Sequence, residues 1–217
     1  MKKRLSVARI GVAYPRYVQI ALGEFLAFSR AESEIKAAEN NPASREQIDR
    51  DIEVQLEEAY LKTIIFSALA VEAFIYDVAA TVLTDKFVRA HLDKLSVIDK
   101  YVVVPMLIGN VDVDKSREWF HLLSKLIHQR NELVHSKSKD FDLARLNSDP
   151  LYFAQFTKEK DNISPKDAVK VLFLITEEMQ NIWGFDYNVF DLANRETVVS
   201  LVGREDIFQK VHDIVFA

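Results

Sequence analysis

Apolar and polar residues follow a helical period along most of the chain. Apolar positions recur three and four residues apart, and charged residues fill the opposite side, as is typical of amphipathic helices. Only 5 Gly and 5 Pro interrupt the 217 residues, which argues against a turn-rich β fold. The pattern therefore predicts an all-α fold. The predicted helices span residues 16–39, 45–83, 86–95, 117–138, 165–183 and 204–217.

The segment YVVVPMLIG, residues 101–109, breaks this pattern. It is a short, uninterrupted apolar run, which predicts either a strand or a buried connection. Residues 109–116 predict a loop in which Asp114 or Ser116 can cap the next helix. A longer loop is predicted at residues 139–162, and Ser164 is predicted to cap the helix that begins with Pro165. No repeat or low-complexity linker marks a boundary, so residues 1–217 are expected to form a single helical domain.

The helix predicted at 45–83 has two different halves. Its first half is charged and amphipathic, whereas its second half, TIIFSALAVEAFIYDVAATVL, is apolar nearly all round. A helix of the second kind is typical of the centre of a bundle. Because this half contains Glu72, and because no stretch of about 18 uncharged apolar residues occurs in the chain, we expect no transmembrane helix and no membrane partner.

The cysteine content and the charges near the N-terminus indicate the cellular compartment. The chain has no cysteine, which excludes disulfides and thiolate metal sites and suits a reducing interior. Lysines near the start resemble those of a signal peptide, but Arg9 and Arg16 interrupt the apolar run that follows. The sequence therefore predicts a cytoplasmic protein.

The stretch HQRNELVH, residues 128–135, places polar residues on a helix patterned for burial. At roughly 100° per residue, Arg130 falls near the middle of the apolar arc, whereas Asn131 and His135 share a face at its edge. A buried arginine is costly unless it is paired, and Glu72 on the central helix is the candidate partner. The pair predicts either a structural ion pair that fixes helix register or a cleft in which Arg130 meets an anion. Helix geometry alone favours the first. The arc contains Trp119, Phe120, Leu122, Leu123, Leu126, Ile127, Leu133 and Val134.

The motif Arg130-Asn131-x-x-x-His135 resembles the R-x(4–6)-H signature of HEPN (higher eukaryotes and prokaryotes nucleotide-binding) domains. In many members a polar residue, often Asn, follows the Arg. The segment FSALAVEAFIYDVA, residues 66–79, is similar to the acidic, alanine-rich second helix of that family. The resemblance implies an up-and-down helical bundle with a HEPN-like core at about 45–184. Helices 16–39 and 204–217 would then be peripheral additions.

The resemblance also implies a metal-independent endoribonuclease of the toxin or phage-defence type, with no cofactor. His135 would move protons to and from ribose and leaving-group oxygens, because histidine titrates near neutrality. Arg130 would stabilise the charge that gathers on the phosphate, and Asn131 would orient the His or hold an oxygen. Attack by the 2′-hydroxyl would restrict the substrate to RNA. A homodimer would supply two copies of each residue, and a separate antitoxin protein is a possible partner.

The charge distribution bears on RNA binding. The net charge of −5 predicts no overall attraction to nucleic acid, but residues 121–139 are locally basic. Such a patch can track phosphates, although lysines in the last turn of a helix also favour its dipole. Both interpretations remain open. The predicted RNA-binding residues are Lys125, His128, Lys137 and Lys139.

Two other functions are compatible with the residues. One is a non-catalytic HEPN-like module that binds RNA, a nucleotide or a protein partner. The other is an unrelated helical interaction protein in which Arg130 is locked to Glu72. A metal site is not expected, since His121, His128 and Glu132 are predicted to form a solvated face.

Overall fold

The computed structural model describes residues 13–39, 50–135, 162–183 and 205–217. These residues form helices and connecting turns without any strand, so the all-α prediction is confirmed. A π-helical turn, Val88–Leu92, follows α3. The helices are α1 (Ala13–Glu39), α2 (Arg50–Leu83), α3 (Asp85–Phe87), α4 (Val97–Gly109), α5 (Glu118–Val134), α6 (Pro165–Trp183) and α7 (Glu205–Phe216).

The long helix α2 is the centre of the bundle and contacts α1, α4, α5 and α6. This position agrees with a second half that is apolar nearly all round, because every side of it needs cover. Alanines at several of its buried positions let neighbouring helices approach closely. Its fully buried side chains include Ile64, Ala68, Ala70, Val71 and Ile75.

Helix α1 contributes side chains to this core. It packs along α2 more extensively than any other pair of described helices. Its side chains Val18, Leu22 and Phe25 are at most 2% exposed. The physical reason is the apolar surface of α2, which α1 covers over most of its length. The terminal helix α7 also buries apolar side chains, among them Phe208 and Val211.

The expectation of a strand or a buried connection at 101–109 is wrong, because these residues belong to α4. Ser96 caps that helix by accepting a hydrogen bond from the Asp99 amide at 3.0 Å. Asn110, with φ of 52°, ends it in the left-handed conformation. The valines and Pro105 of this segment have low helix preferences, which is why the sequence favoured a strand or a connection. Burial of Tyr101, Val104 and Pro105 against the bundle overrides that preference.

The other boundaries are close to those predicted. Helix α6 begins at Pro165, and the Ser164 hydroxyl accepts a hydrogen bond from the Asp167 amide at 3.0 Å, as expected of its cap. Helix α5 begins differently, because Arg117 is its N-terminal flanking residue and makes no side-chain cap. Asp114 instead accepts from the amide and hydroxyl of Ser116, at 2.9 and 2.6 Å, and so closes the turn before the helix.

By length and hydropathy alone, helix α2 could cross a membrane, although the sequence predicts no transmembrane helix. The qualifying helix is Asp51–Leu83, and 61% of its most apolar window is buried inside the bundle. A helix covered by other helices in this way is typical of the core of a soluble protein.

Candidate functional site

Helix α5 carries the motif, and its apolar side faces the bundle. Trp119, Leu123 and Leu126 are at most 4% exposed along this side. Arg130 follows on the same side, one turn after Leu126, with a side chain that is 18% exposed. The helical period thus brings a guanidinium to the edge of the apolar core, as the sequence predicts.

Glu72 on α2 faces this guanidinium. Arg130 Nη2 donates a hydrogen bond to Glu72 Oε2 at 3.2 Å. The Glu72 side chain is 38% exposed, so the pair lies at the mouth of the bundle and not deep inside it. This placement is compatible with both predicted roles, because the pair joins α2 to α5 and remains accessible from solvent.

The hydrogen bonding of Arg130 is incomplete. Its Nε is buried and has no hydrogen-bond partner among the residues that the structure describes. Among the described residues, Glu72 is the one partner of the guanidinium, which carries five N–H donors. A desolvated donor without an acceptor costs free energy. An anion that reached this guanidinium would recover part of that cost.

A buried polar layer lies behind Glu72. The Tyr101 hydroxyl, from α4, donates to the carbonyl oxygen of Val71 at 2.8 Å. Burial raises the pKa of Tyr101 well above its usual value, and the neighbouring Tyr14 and Glu72 add to the effect. Tyr14, whose pKa burial also raises, hydrogen-bonds Thr176 on α6. Both hydroxyls stay protonated, and that of Tyr101 joins α4 to α2 one residue before Glu72.

His135 and Asn131 lie on a different side of α5. His135 is the C-terminal flanking residue of the helix, and its amide bonds the Asn131 carbonyl at 2.9 Å. Both residues are exposed. His135 lies five positions after Arg130, which places their side chains about 140° apart around the axis. Within one protomer, therefore, Arg130 faces the bundle and His135 faces solvent.

The predicted RNA-binding residues are only partly described. Lys125 and His128 are exposed, and His128 Nε2 lies 3.6 Å from Glu132 Oε1. Lys137 and Lys139 lie outside the described residues. Val134, which the pattern places in the apolar arc, is 53% exposed because it lies in the last turn, beyond the packed part of α5.

One buried polar residue beside the motif was missed from the sequence. Gln129 is only 1% exposed, which places a full amide inside the bundle next to Arg130. The helical period offers a signal, since Gln129 falls close to Leu122 at the border of the apolar arc. The sequence analysis did not predict burial for a polar residue at this border.

The other end of α5 carries a second arginine pair. Arg117 Nη1 donates to both carboxylate oxygens of Glu178 on α6, at 2.8 and 2.7 Å. Beside it, Lys170 Nζ bonds Glu118 Oε1 at 2.6 Å. These contacts fasten the start of α5 to α6.

No group of three or more His, Asp or Glu side chains converges in the described part of the chain. Comparison of the chain with protein-family models, curated proteins and solved structures found no match. The functional argument therefore depends on the residues and geometry of this chain.

Proposed function

We propose that the chain is a HEPN-like, metal-independent endoribonuclease of the toxin or defence type that acts in the cytoplasm. One observation carries the proposal. Arg130 lies at the mouth of the bundle with unused donors, on the same helix as the exposed Asn131 and His135. A fixed cation and a solvent-accessible imidazole, brought to one phosphate by two protomers, suit the cleavage of a phosphodiester.

The chemistry assigns one role to each residue. His135 removes the proton from a ribose 2′-hydroxyl, and the oxygen attacks the adjacent phosphorus. The bond to the 5′-oxygen breaks, and a protonated histidine returns a proton to that leaving oxygen. Arg130 stabilises the negative charge on the phosphate oxygens, and Asn131 orients the imidazole or holds an oxygen. The products are a 2′,3′-cyclic phosphate and a 5′-hydroxyl.

Two protomers are needed to complete this site. Arg130 and His135 of one chain diverge by about 140° around α5, so one substrate phosphate meets both more readily when they come from different protomers. The exposed Val134, one turn beyond Arg130, offers an apolar contact beside the motif. We therefore place the homodimer contact at the C-terminal end of α5, where a symmetric interface brings both copies together.

The activity test uses purified protein and total RNA in the presence of EDTA. Wild-type protein is expected to cleave and to leave cyclic-phosphate ends, and His135→Ala is expected to abolish cleavage. His121→Ala is the matched control, because His121 lies on the same helix, is exposed and belongs neither to the motif nor to the predicted RNA-binding residues. Cleavage that EDTA stops, or that survives His135→Ala, contradicts the proposal.

The dimer test mixes two inactive variants, Arg130→Ala and His135→Ala. A heterodimer of the two contains one site with both residues intact when the site draws on two protomers. Activity is then restored on mixing, although neither variant cleaves alone. Failure to restore activity, with heterodimers demonstrated by light scattering and tag exchange, contradicts a site shared in this way.

A second candidate is a non-catalytic module that binds RNA, a nucleotide or a protein partner such as an antitoxin. The observation that favours it is the exposure of His135, which no described residue orients. In this case the Arg130–Glu72 pair serves helix register. RNA binding without cleavage, under the conditions of the activity test, supports this candidate over the first.

A further inference from the structure

We infer that Phe87, Arg89 and His91, named here the α3 platform, bind single-stranded RNA next to the Arg130 site. The inference rests on the proposed function, since it extends the same substrate along α2. It is carried by an exposed pair of tilted aromatic rings, by an arginine with open donors and by the position of both next to the helix face that carries Glu72.

Buried residues orient the platform. Val88 and Leu92 are 1% and 4% exposed and anchor the π-helical turn to the bundle. Phe87 and His91 have the same four-residue spacing but face outward, and both are exposed. Thr84, whose φ is 76°, turns the chain sharply at the end of α2 and accepts a hydrogen bond from the Phe87 amide at 3.4 Å. The turn thus presents the aromatic pair at a fixed place.

The aromatic pair has a surface that a base can cover. The ring centroids of Phe87 and His91 are 4.7 Å apart, and Phe87 is 38% exposed. Aromatic side chains of this kind stack on unpaired bases with little sequence preference, because every base has a π face. Paired bases are already stacked, so the platform suits a single strand.

Arg89 supplies the phosphate contact. Its Nε donates to the Tyr76 hydroxyl at 3.5 Å, and Tyr76 in turn donates to Asp85 Oδ1 at 3.1 Å. The terminal guanidinium nitrogens of Arg89 have no hydrogen-bond partner within the described part of the chain. Asp85 and Asp93 act on Arg89 electrostatically, whereas Lys86 and Lys94 add positive charge nearby in the chain. The arginine is therefore oriented but still able to bind a phosphate in bidentate fashion.

Tyr76 connects the platform to the proposed active site. Tyr76 follows Glu72 by four residues, so both lie on one half-exposed side of α2, about 6 Å apart along its axis. Glu72 holds Arg130, and Tyr76 holds Arg89. The two arginines thus hydrogen-bond residues on successive turns of one face of α2. Neighbouring phosphates of a single RNA strand can match the spacing of these two turns.

The test measures binding of a labelled single-stranded RNA to the full chain by fluorescence anisotropy, in a His135→Ala background that prevents cleavage. Phe87→Ala is expected to raise Kd at least about fivefold. Arg89→Ala is expected to raise Kd and to lower the salt dependence of log Kd by about one phosphate contact. Binding of a duplex of the same sequence is expected to be weaker and insensitive to Phe87→Ala.

The control is a second exposed pair of the same kind. Phe216 on α7 is 44% exposed and lies 4.8 Å from His212, centroid to centroid. Phe216→Ala is expected to leave Kd unchanged. Equal effects of the two substitutions, or no effect of Phe87→Ala and Arg89→Ala, overturn the inference, and so does a wild type that binds no RNA. Platform-dependent binding without RNA cleavage would instead contradict the proposed function alone.

Discussion

The two ends of α5 each carry an arginine paired with a glutamate, and the pairs differ in completeness. At the N-terminal end, one nitrogen of Arg117 reaches both oxygens of Glu178 within 2.8 Å, and the Arg117 side chain is 53% exposed. At the C-terminal end, Arg130 makes one bond of 3.2 Å to Glu72 and is 18% exposed. Water can satisfy the free donors of Arg117 but has little access to those of Arg130.

This difference separates a structural pair from a site that can bind a ligand. An exposed pair contributes at most about 1 kcal/mol to stability and leaves no group in need of a partner. A mostly buried guanidinium whose Nε has no partner among the described residues gains from any anion that reaches it. The exposed Asn131, Val134 and His135 lie within five positions after Arg130.

The largest effect is expected from His135. Replacing it with Ala removes the proposed general base and should lower the RNA cleavage rate by about 100-fold to 10,000-fold. The same substitution at His121 should change the rate by less than about twofold, because His121 is exposed and lies near the opposite end of α5 from the motif. Single-turnover cleavage rates measure both. Equal losses at the two histidines would mean that position 135 has no special role.

The next effect concerns the two glutamates. Glu72→Ala leaves the mostly buried Arg130 without its anion and should lower the free energy of unfolding by about 1–3 kcal/mol. Glu178→Ala leaves an arginine that water can solvate, so its loss should stay below about 1 kcal/mol. Urea unfolding of both variants measures the difference. An equal or larger loss for Glu178→Ala removes the energetic distinction between the two ends.

A smaller effect is expected behind the C-terminal pair. Tyr101→Phe removes the hydroxyl that bonds the Val71 carbonyl, next to Glu72, and should cost about 1 kcal/mol of stability. Because α2 presents Glu72 to Arg130 at this point, RNA cleavage should fall several-fold through kcat with little change in KM. Steady-state kinetics checks the split, and unchanged kcat would show that the polar layer is structural only.

The smallest effect lies at the N-terminal end and depends on pH. The Ser116 hydroxyl and amide hold the pKa of Asp114 below its ordinary value of 3.8. A lowered carboxyl pKa stabilises the fold above the unfolded-state value, and that contribution disappears as the pH falls through the folded-state value. Asp114→Asn should therefore lower the urea midpoint slightly at pH 6, and this difference should shrink as the pH falls below 3.8. The exposed Asp112→Asn is the control, and an equal pH dependence there contradicts the assignment.

Sequence reasoning succeeded where one helical period controls the outcome. The rotation of α5 followed from Trp119 to Leu126, and with it the inward position of Arg130 and the outward position of His135. Glu72 could be selected because an acid within an apolar segment needs a cation.

Sequence reasoning failed where contacts distant in the chain decide the structure. The valines and Pro105 of α4 have strand-like local preferences that burial against α2 overrides. The Tyr101 hydroxyl bonds a backbone carbonyl 30 residues earlier in the chain. A backbone partner cannot be predicted from the pattern of side chains. The same holds for Arg89 and Tyr76, which meet because the chain turns sharply at Thr84.

The most direct measurement compares Arg130→Ala with Arg117→Ala for RNA cleavage and for unfolding by urea in parallel. The account predicts that Arg130→Ala loses at least about 100-fold in cleavage while it remains folded. Arg117→Ala should cleave within about twofold of wild type, with a stability loss below about 1 kcal/mol. If both variants cleave equally well, or if Arg130→Ala is inactive only because it is unfolded, then Arg130 serves the architecture of the bundle and the central claim is wrong.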